Sequence, residues 1–211
     1  MTDWRVYLVT QASLSGGRTT PEIVEAAIEG GVDVVQLREK DVSARERYEM
    51  GREVHEHTRE AGVPLIVNDR VDLALALEAD GVHLGDEDLP VAVARDLLGE
   101  DAIIGRSVSF VDDAREAEAA GADYLGVGAI YATGSKDDIE DDEYAIGTER
   151  LADIVDAVDI PVVGIGGITD ENADSVIDAG AAGVAVITEI TNADDPEAAT
   201  GRLIDAVSKG Q

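Results

Sequence analysis

Glu29-Gly30-Gly31-Val32-Asp33-Val34-Val35-Gln36-Leu37 carries the end of a helix, a glycine turn and an apolar run that reads as a buried parallel strand. The same punctuation returns at Ala79-Asp80-Gly81-Val82, at Ala120-Gly121-Ala122-Asp123 and at Ala179-Gly180-Ala181-Ala182-Gly183. In each, a glycine after the helix is expected in the left-handed conformation, and the apolar residues that follow begin the next strand. Reading between these marks predicts eight strands, near Val6 to Thr10, Val34 to Leu37, Leu65 to Val67, Gly81 to Leu84, Ile103 to Gly105, Tyr124 to Val127, Val162 to Ile165 and Gly183 to Ile187. Strands alternating with helices at this spacing favour a (β/α)8 TIM barrel over an open doubly wound sheet. With no Pro/Ser-rich linker, residues 1–211 are expected to form one compact α/β domain.

Charge narrows the function classes. Lys plus Arg is 16 against 46 Asp plus Glu, a formal net charge of −30. So acidic a surface repels phosphate backbones, which argues against nucleic acid as a partner. Its 13 Arg against 3 Lys and its 3% aromatic content fit a halophilic cytosol, where salt screens the self-repulsion. The absence of cysteine excludes disulfides, thiolate metal sites and cysteine nucleophiles. No apolar run reaches a membrane span, and Met1-Thr2-Asp3-Trp4-Arg5 is unlike a signal peptide, so a soluble, cytoplasmic protein is expected.

In a (β/α)8 barrel the active site lies at the C-terminal ends of the strands. These ends are polar: Gln36, Arg38 and Lys40 after the second, Asn68-Asp69-Arg70 after the third, His83 to Asp88 after the fourth, Arg106-Ser107 after the fifth. Thr133, Ser135 and Lys136 follow the sixth. Gly166-Gly167 and Ile187-Thr188 close the seventh and eighth, where barrels often bind phosphate through backbone N–H groups. Asp69 and Asp88 can give a divalent cation two hard oxygens, leaving the remaining positions to water and phosphate oxygens, which fits Mg2+. Arg38 and Lys40 can pair with Glu39 or Asp41; placed opposite two acids, they also suit a magnesium-bound diphosphate. The pattern thus implies two anion sites. His83 reads as a packed, hydrogen-bonded side chain, Trp4 as packing, and Asp137 to Glu143 as a solvated acidic loop.

Several motifs stand in register: Val9-Thr10, QLREK at 36–40, LIVNDR at 65–70, DGVHLGDEDLP at 80–90, GVGAIYATGSK at 126–136, GIGGIT at 164–169 and VIT at 186–188. Together they resemble the thiamine-phosphate synthase family, from Tyr7 to about Ile190. The resemblance implies a Mg2+-dependent transferase that joins hydroxymethylpyrimidine diphosphate to thiazole phosphate, releasing diphosphate. It also implies that Gln36, Arg38, Glu39, Lys40, Asn68, Ser107 and Lys136 hold the pyrimidine diphosphate, with Arg38, Lys40, Ser107 and Lys136 acting in catalysis. Asp69 and Asp88 would take the metal, and Thr133, Ser135, Gly167, Ile187 and Thr188 the thiazole phosphate. A homo-oligomer is compatible with this assignment. Two departures from the family pattern are local. Gln11 and Ala129 stand where members more often carry Asp and Pro. Gly105-Arg106-Ser107-Val108-Ser109 also lacks the histidine that members commonly place after the fifth strand, and that related thiazole tautomerases use. A tautomerase, or a non-catalytic barrel binding thiazole or pyrimidine phosphates, is the alternative reading; neither requires Asp69 and Asp88 together with Lys40 and Lys136.

Overall fold

The computed structural model describes residues 4–133 and 145–209. Its elements run β1 (Val6–Val9), α1 (Thr20–Glu29), β2 (Val34–Leu37), α2 (Ala44–Ala61), β3 (Leu65–Asn68), α3 (Val71–Leu77), β4 (Gly81–Leu84), α4 (Val91–Leu98), β5 (Ile103–Val108) and α5 (Val111–Ala119). They continue with β6 (Tyr124–Gly128), α6 (Gly147–Val155), β7 (Val162–Ile165), α7 (Ala173–Asp178), β8 (Gly183–Val186), α8 (Thr188–Thr191) and α9 (Pro196–Val207). All strand pairs are parallel and β8 returns to β1, pairing Val6 with Val184 and Leu8 with Val186, so the domain is the expected closed eight-stranded barrel.

Helix starts are written locally. Thr19 and Ser43 each accept a hydrogen bond from the backbone N–H three residues on, while Glu22 and Glu46 reach back to the cap N–H groups. Both are capping boxes, which satisfy donors that a helix start otherwise leaves open. The acidic members of the glycine punctuation have a task at the opposite end of the barrel from the strand C-termini. Asp33 accepts from the backbone N–H groups of Arg5 and Val6 at 3.0 Å. Asp80 accepts from Leu65 N–H at 2.8 Å, and Asp123 from Ile104 N–H at 2.7 Å. In each case the acid that ends one helix–strand turn pins the first residues of the preceding strand.

Apolar side chains separate into two populations. A large layer between strands and helices includes Leu8, Leu37, Val67, Leu84, Leu125, Leu151 and Leu203. A smaller cluster fills the barrel itself: Trp4, Tyr7, Val9, Val34, Ile66, Tyr124, Val163, Ala185 and Ile187. Trp4 packs edge-on against Tyr7 and Tyr124, with ring centroids 6.0 and 5.1 Å apart, as its reading as packing anticipates.

Two details differ from expectation. Gly31, Gly121 and Gly180 take φ near +90°, but at the second punctuation mark Glu78 holds the left-handed cap at φ 53° and Gly81 lies inside β4. Gly81 answers to space instead, since a Cβ there would stand 1.9 Å from the carbonyl oxygen of Ile103. β5 also runs three residues past its expected end, to Val108, because Arg106, Ser107 and Val108 pair with Leu125, Gly126 and Val127 of β6. Ser107 therefore stands on a strand and not on a loop. No helix among the described residues is long and apolar enough to cross a membrane.

Candidate active site

The end of β2 delivers its polar residues in alternation. Gln36 points into the barrel, where its Nε2 donates to Tyr7 Oη at 2.7 Å. Arg38 is only 7% exposed; its guanidinium donates to Gln11 Oε1 at 2.7 Å, and its backbone N–H to Thr10 Oγ1 at 3.1 Å. Gln11 orients the guanidinium as a carboxylate would, but as a neutral amide it leaves the cation's full charge facing the mouth. Glu39 is turned the other way. Its carboxylate accepts from Ala12 N–H at 2.8 Å and from the Thr20 hydroxyl at 2.9 Å, so it ties the loop carrying Gln11 to the start of α1.

Lys40 Nζ lies 3.7 Å from Asp69 Oδ2. Asp69 adopts φ 64°, a left-handed conformation that Asp tolerates better than most residues, and its N–H donates to His83 O at 2.8 Å. Burial first, and then the adjacent Asp88 carboxylate, push the Asp69 carboxyl above its ordinary range, while Lys40 and Arg38 pull it back. Asp88 is fixed through its carboxylate, which accepts from Gly85 N–H at 2.6 Å. Two carboxylates held side by side at this cost suit a divalent cation that would relieve their repulsion. Among the described residues no third His, Asp or Glu joins them, which leaves most of a cation's coordination to ligands from outside the protein.

Between these strand ends lies a small cavity of about 50 Å3 lined by Tyr7, Gln36, Arg38, Asn68, His83 and Ser107, among others. His83 reaches Tyr124 Oη through Nδ1 and Ser107 Oγ through Nε2, both at 2.9 Å. It is the hydrogen-bonded side chain the sequence suggests, and it also lines the cavity. The other half of the mouth is built differently. A cavity of about 260 Å3 is lined by Thr133, Gly166, Gly167, Ile187, Thr188 and their neighbours on β7 and β8. Gly166 and Gly167 take φ 102° and 65°, and a Cβ on Gly167 would stand 2.8 Å from Ala132 O, so only glycine leaves this backbone open to a ligand.

The structure thus gathers Gln36, Arg38, Lys40, Asn68, Asp69, Asp88 and Ser107 on one side of the barrel mouth and Thr133, Gly167, Ile187 and Thr188 on the other. Ser135, Lys136 and the acidic run 137–143 lie outside the described residues. Sequence reading passed over Tyr7, Tyr124 and the clamp role of Gln11. For the tyrosines a signal existed, because two phenols on alternating strand positions of a narrow barrel must meet polar partners inside it.

The model of the family described as thiamine monophosphate synthase matches residues 6–190. The thiamine-phosphate synthase of Haloarcula marismortui is 71% identical over 211 residues, covering all of both chains, and that of Natronomonas pharaonis is 64% identical, covering 97% of this chain and 95% of its own. Among solved structures, the thiamine phosphate pyrophosphorylase from Pyrococcus furiosus superposes with a TM-score of 0.89 at 41% identity, covering 99% of this chain and 98% of that one. A closed eight-stranded barrel and homology over its whole length place the chain in the thiamine-phosphate synthase family of transferases.

Proposed function

We propose that this family member divides its two substrates between the two halves of the mouth: hydroxymethylpyrimidine diphosphate at the ends of β2 to β5, thiazole phosphate at the ends of β6 to β8. The observation that carries the reading is the asymmetry of the site. Arg38, Lys40 and the Asp69/Asp88 pair are concentrated on one side, and an open glycine backbone on the other. A diphosphate with a divalent cation needs the first, and a single phosphate is satisfied by the second.

On this reading the bond between the pyrimidine methylene carbon and the diphosphate oxygen breaks, and both electrons leave with the diphosphate. The aminopyrimidine ring stabilises the cation, and the thiazole nitrogen closes the new C–N bond with its lone pair. No proton needs to be removed, which is why the side chains around the reacting carbon are charge stabilisers and not a nucleophile–base pair. Arg38 and Lys40, with Lys136, compensate charge on the leaving diphosphate, and Ser107 donates to it. Asp69 and Asp88 would hold Mg2+, which when bound supplies further neutralisation of the diphosphate. The chain's own part is to fix these charges before the reaction begins, Gln11 for Arg38 and Gly85 N–H for Asp88.

The −30 charge and the haloarchaeal relatives support a working place in a cytoplasm of high salt. The test is product formation in molar potassium chloride with magnesium and both substrates, against an EDTA-treated sample. Thiamine phosphate formed only with metal supports the reading. Folded protein that binds both ligands without forming product overturns it in favour of a non-catalytic binder.

A further inference from the structure

Five side chains from five strands are linked in series across the barrel interior. Gln36 Nε2 meets Tyr7 Oη at 2.7 Å, Tyr7 Oη meets Tyr124 Oη at 2.9 Å, Tyr124 Oη meets His83 Nδ1 at 2.9 Å, and His83 Nε2 meets Ser107 Oγ at 2.9 Å. The chain has been given room. A Cβ on Gly105 would stand 2.2 Å from the Tyr124 ring, and one on Gly126 2.9 Å from the His83 ring, so glycines on β5 and β6 admit these two side chains. Burial pushes both phenols far above their ordinary pKa, so each keeps its single proton and can donate only once.

That single donation gives the series a direction. With Gln36 donating to Tyr7, Tyr7 donates to Tyr124 and Tyr124 to His83 Nδ1, which must be bare. His83 then carries its proton on Nε2 and donates to Ser107, whose own hydroxyl proton is left for the cavity. Turning the Gln36 amide over would reverse every link and commit the Ser107 proton to His83, taking a donor from the anion side. We infer that Tyr7, Tyr124 and His83 are positioning residues that lock the Gln36 carboxamide and so set selectivity for an aminopyrimidine over an oxopyrimidine. This rests on the proposed placement of the pyrimidine beside Gln36. Locked, Gln36 presents an oxygen and one N–H to the cavity. They match the amino N–H and the adjacent ring nitrogen of a 4-aminopyrimidine. A 4-oxopyrimidine, with a carbonyl oxygen beside a ring N–H, mismatches both.

The experiment is competitive binding of the 4-amino and 4-oxo forms of hydroxymethylpyrimidine diphosphate to the magnesium-loaded protein, in the wild type, in Tyr7→Phe and in Tyr124→Phe. The ratio of the two dissociation constants is the readout, since partial unfolding moves both alike. The wild type should prefer the amino form by about 100-fold, the scale for two buried mismatched hydrogen bonds, and each variant should lose about tenfold or more of that preference. Variants that keep the wild-type ratio overturn the relay. The histidine tautomer, read by 15N NMR on the unmodified protein, is an independent test needing neither variant nor substrate: His83 protonated on Nε2 supports the direction, and on Nδ1 overturns it. If the wild type binds neither pyrimidine, the placement of the substrate fails, and the tautomer alone still decides the relay.

Discussion

The two halves of the barrel mouth are built by opposite means. From β2 to β5 the work falls to charged side chains: Arg38 is held by Gln11, Asp88 by Gly85 N–H, and Lys40 lies against Asp69. From β6 to β8 it falls to backbone, at glycines whose positive φ excludes other residues. The difference fits the proposed division of the two substrates. A leaving diphosphate changes its charge during the reaction and needs cations aimed at it, whereas a phosphate that only anchors its substrate needs a fixed ring of dipoles. In a protein of charge −30, Arg38 and Lys40 offset the Asp69 and Asp88 carboxylates on that side, which makes it less repulsive to an anion than the acidic surface as a whole.

Breaking the charged half should have the larger effect. Arg38→Ala should lower the single-turnover rate by roughly 100-fold or more, the scale for losing one preorganised charge stabiliser, and Lys136→Ala, at a residue given the same role in the proposed mechanism, should do likewise. A rapid-quench measurement showing a change under about threefold would remove that residue from charge compensation of the leaving diphosphate. Breaking the backbone half should be milder and confined to one substrate. Gly167→Ala, strained at φ 65° and pressing on Ala132 O, should raise the KM for thiazole phosphate by about tenfold. The affinity for pyrimidine diphosphate should stay unchanged in calorimetry; weakening of both would mean that the halves are not separate. Gln11→Glu sharpens the comparison by keeping the clamp and cancelling the charge of Arg38. Pyrimidine diphosphate should then bind about threefold to tenfold less tightly, with thiazole phosphate unaffected.

The smallest effect lies away from the mouth. Hydrogen bonds from the Thr19 and Ser43 caps hold the Glu22 and Glu46 carboxyls below their ordinary range. A carboxyl depressed in the folded state adds stability above its unfolded pKa and loses it as the pH falls through the folded value. Thermal melts should therefore show a slight acid-side loss of stability that is reduced in Glu46→Gln; an unchanged profile would remove the cap as its source.

Much of the barrel was legible because its punctuation is local. A glycine such as Gly31 or Gly180 is needed by the turn it sits in, and the apolar runs between such glycines have strand length. Glu78 escaped because a left-handed cap can be filled by an ordinary residue, and the true end of β5 because it is set by pairing with β6, which no feature of 103–108 announces. The charged half of the site could be read for a similar reason: strand ends are the mouth, so Arg38, Lys40, Asp69 and Asp88 declare themselves by position. What stayed hidden depends on meetings across the barrel. Nothing near Tyr7 reveals that Tyr124, 117 residues away, stands 2.9 Å from it, and nothing near Gln11 reveals that it holds Arg38.

Closure of the sheet also has a consequence in time. β1 is among the first elements to leave the ribosome, yet one of its two edges waits for β8, which ends at Val186. At the usual pace of synthesis that wait is on the order of ten seconds, during which a strand reading Val-Tyr-Leu-Val offers an unpaired edge to any neighbour. For this chain the vulnerable period is nascent life, before β8 is made and can cover the open edge of β1.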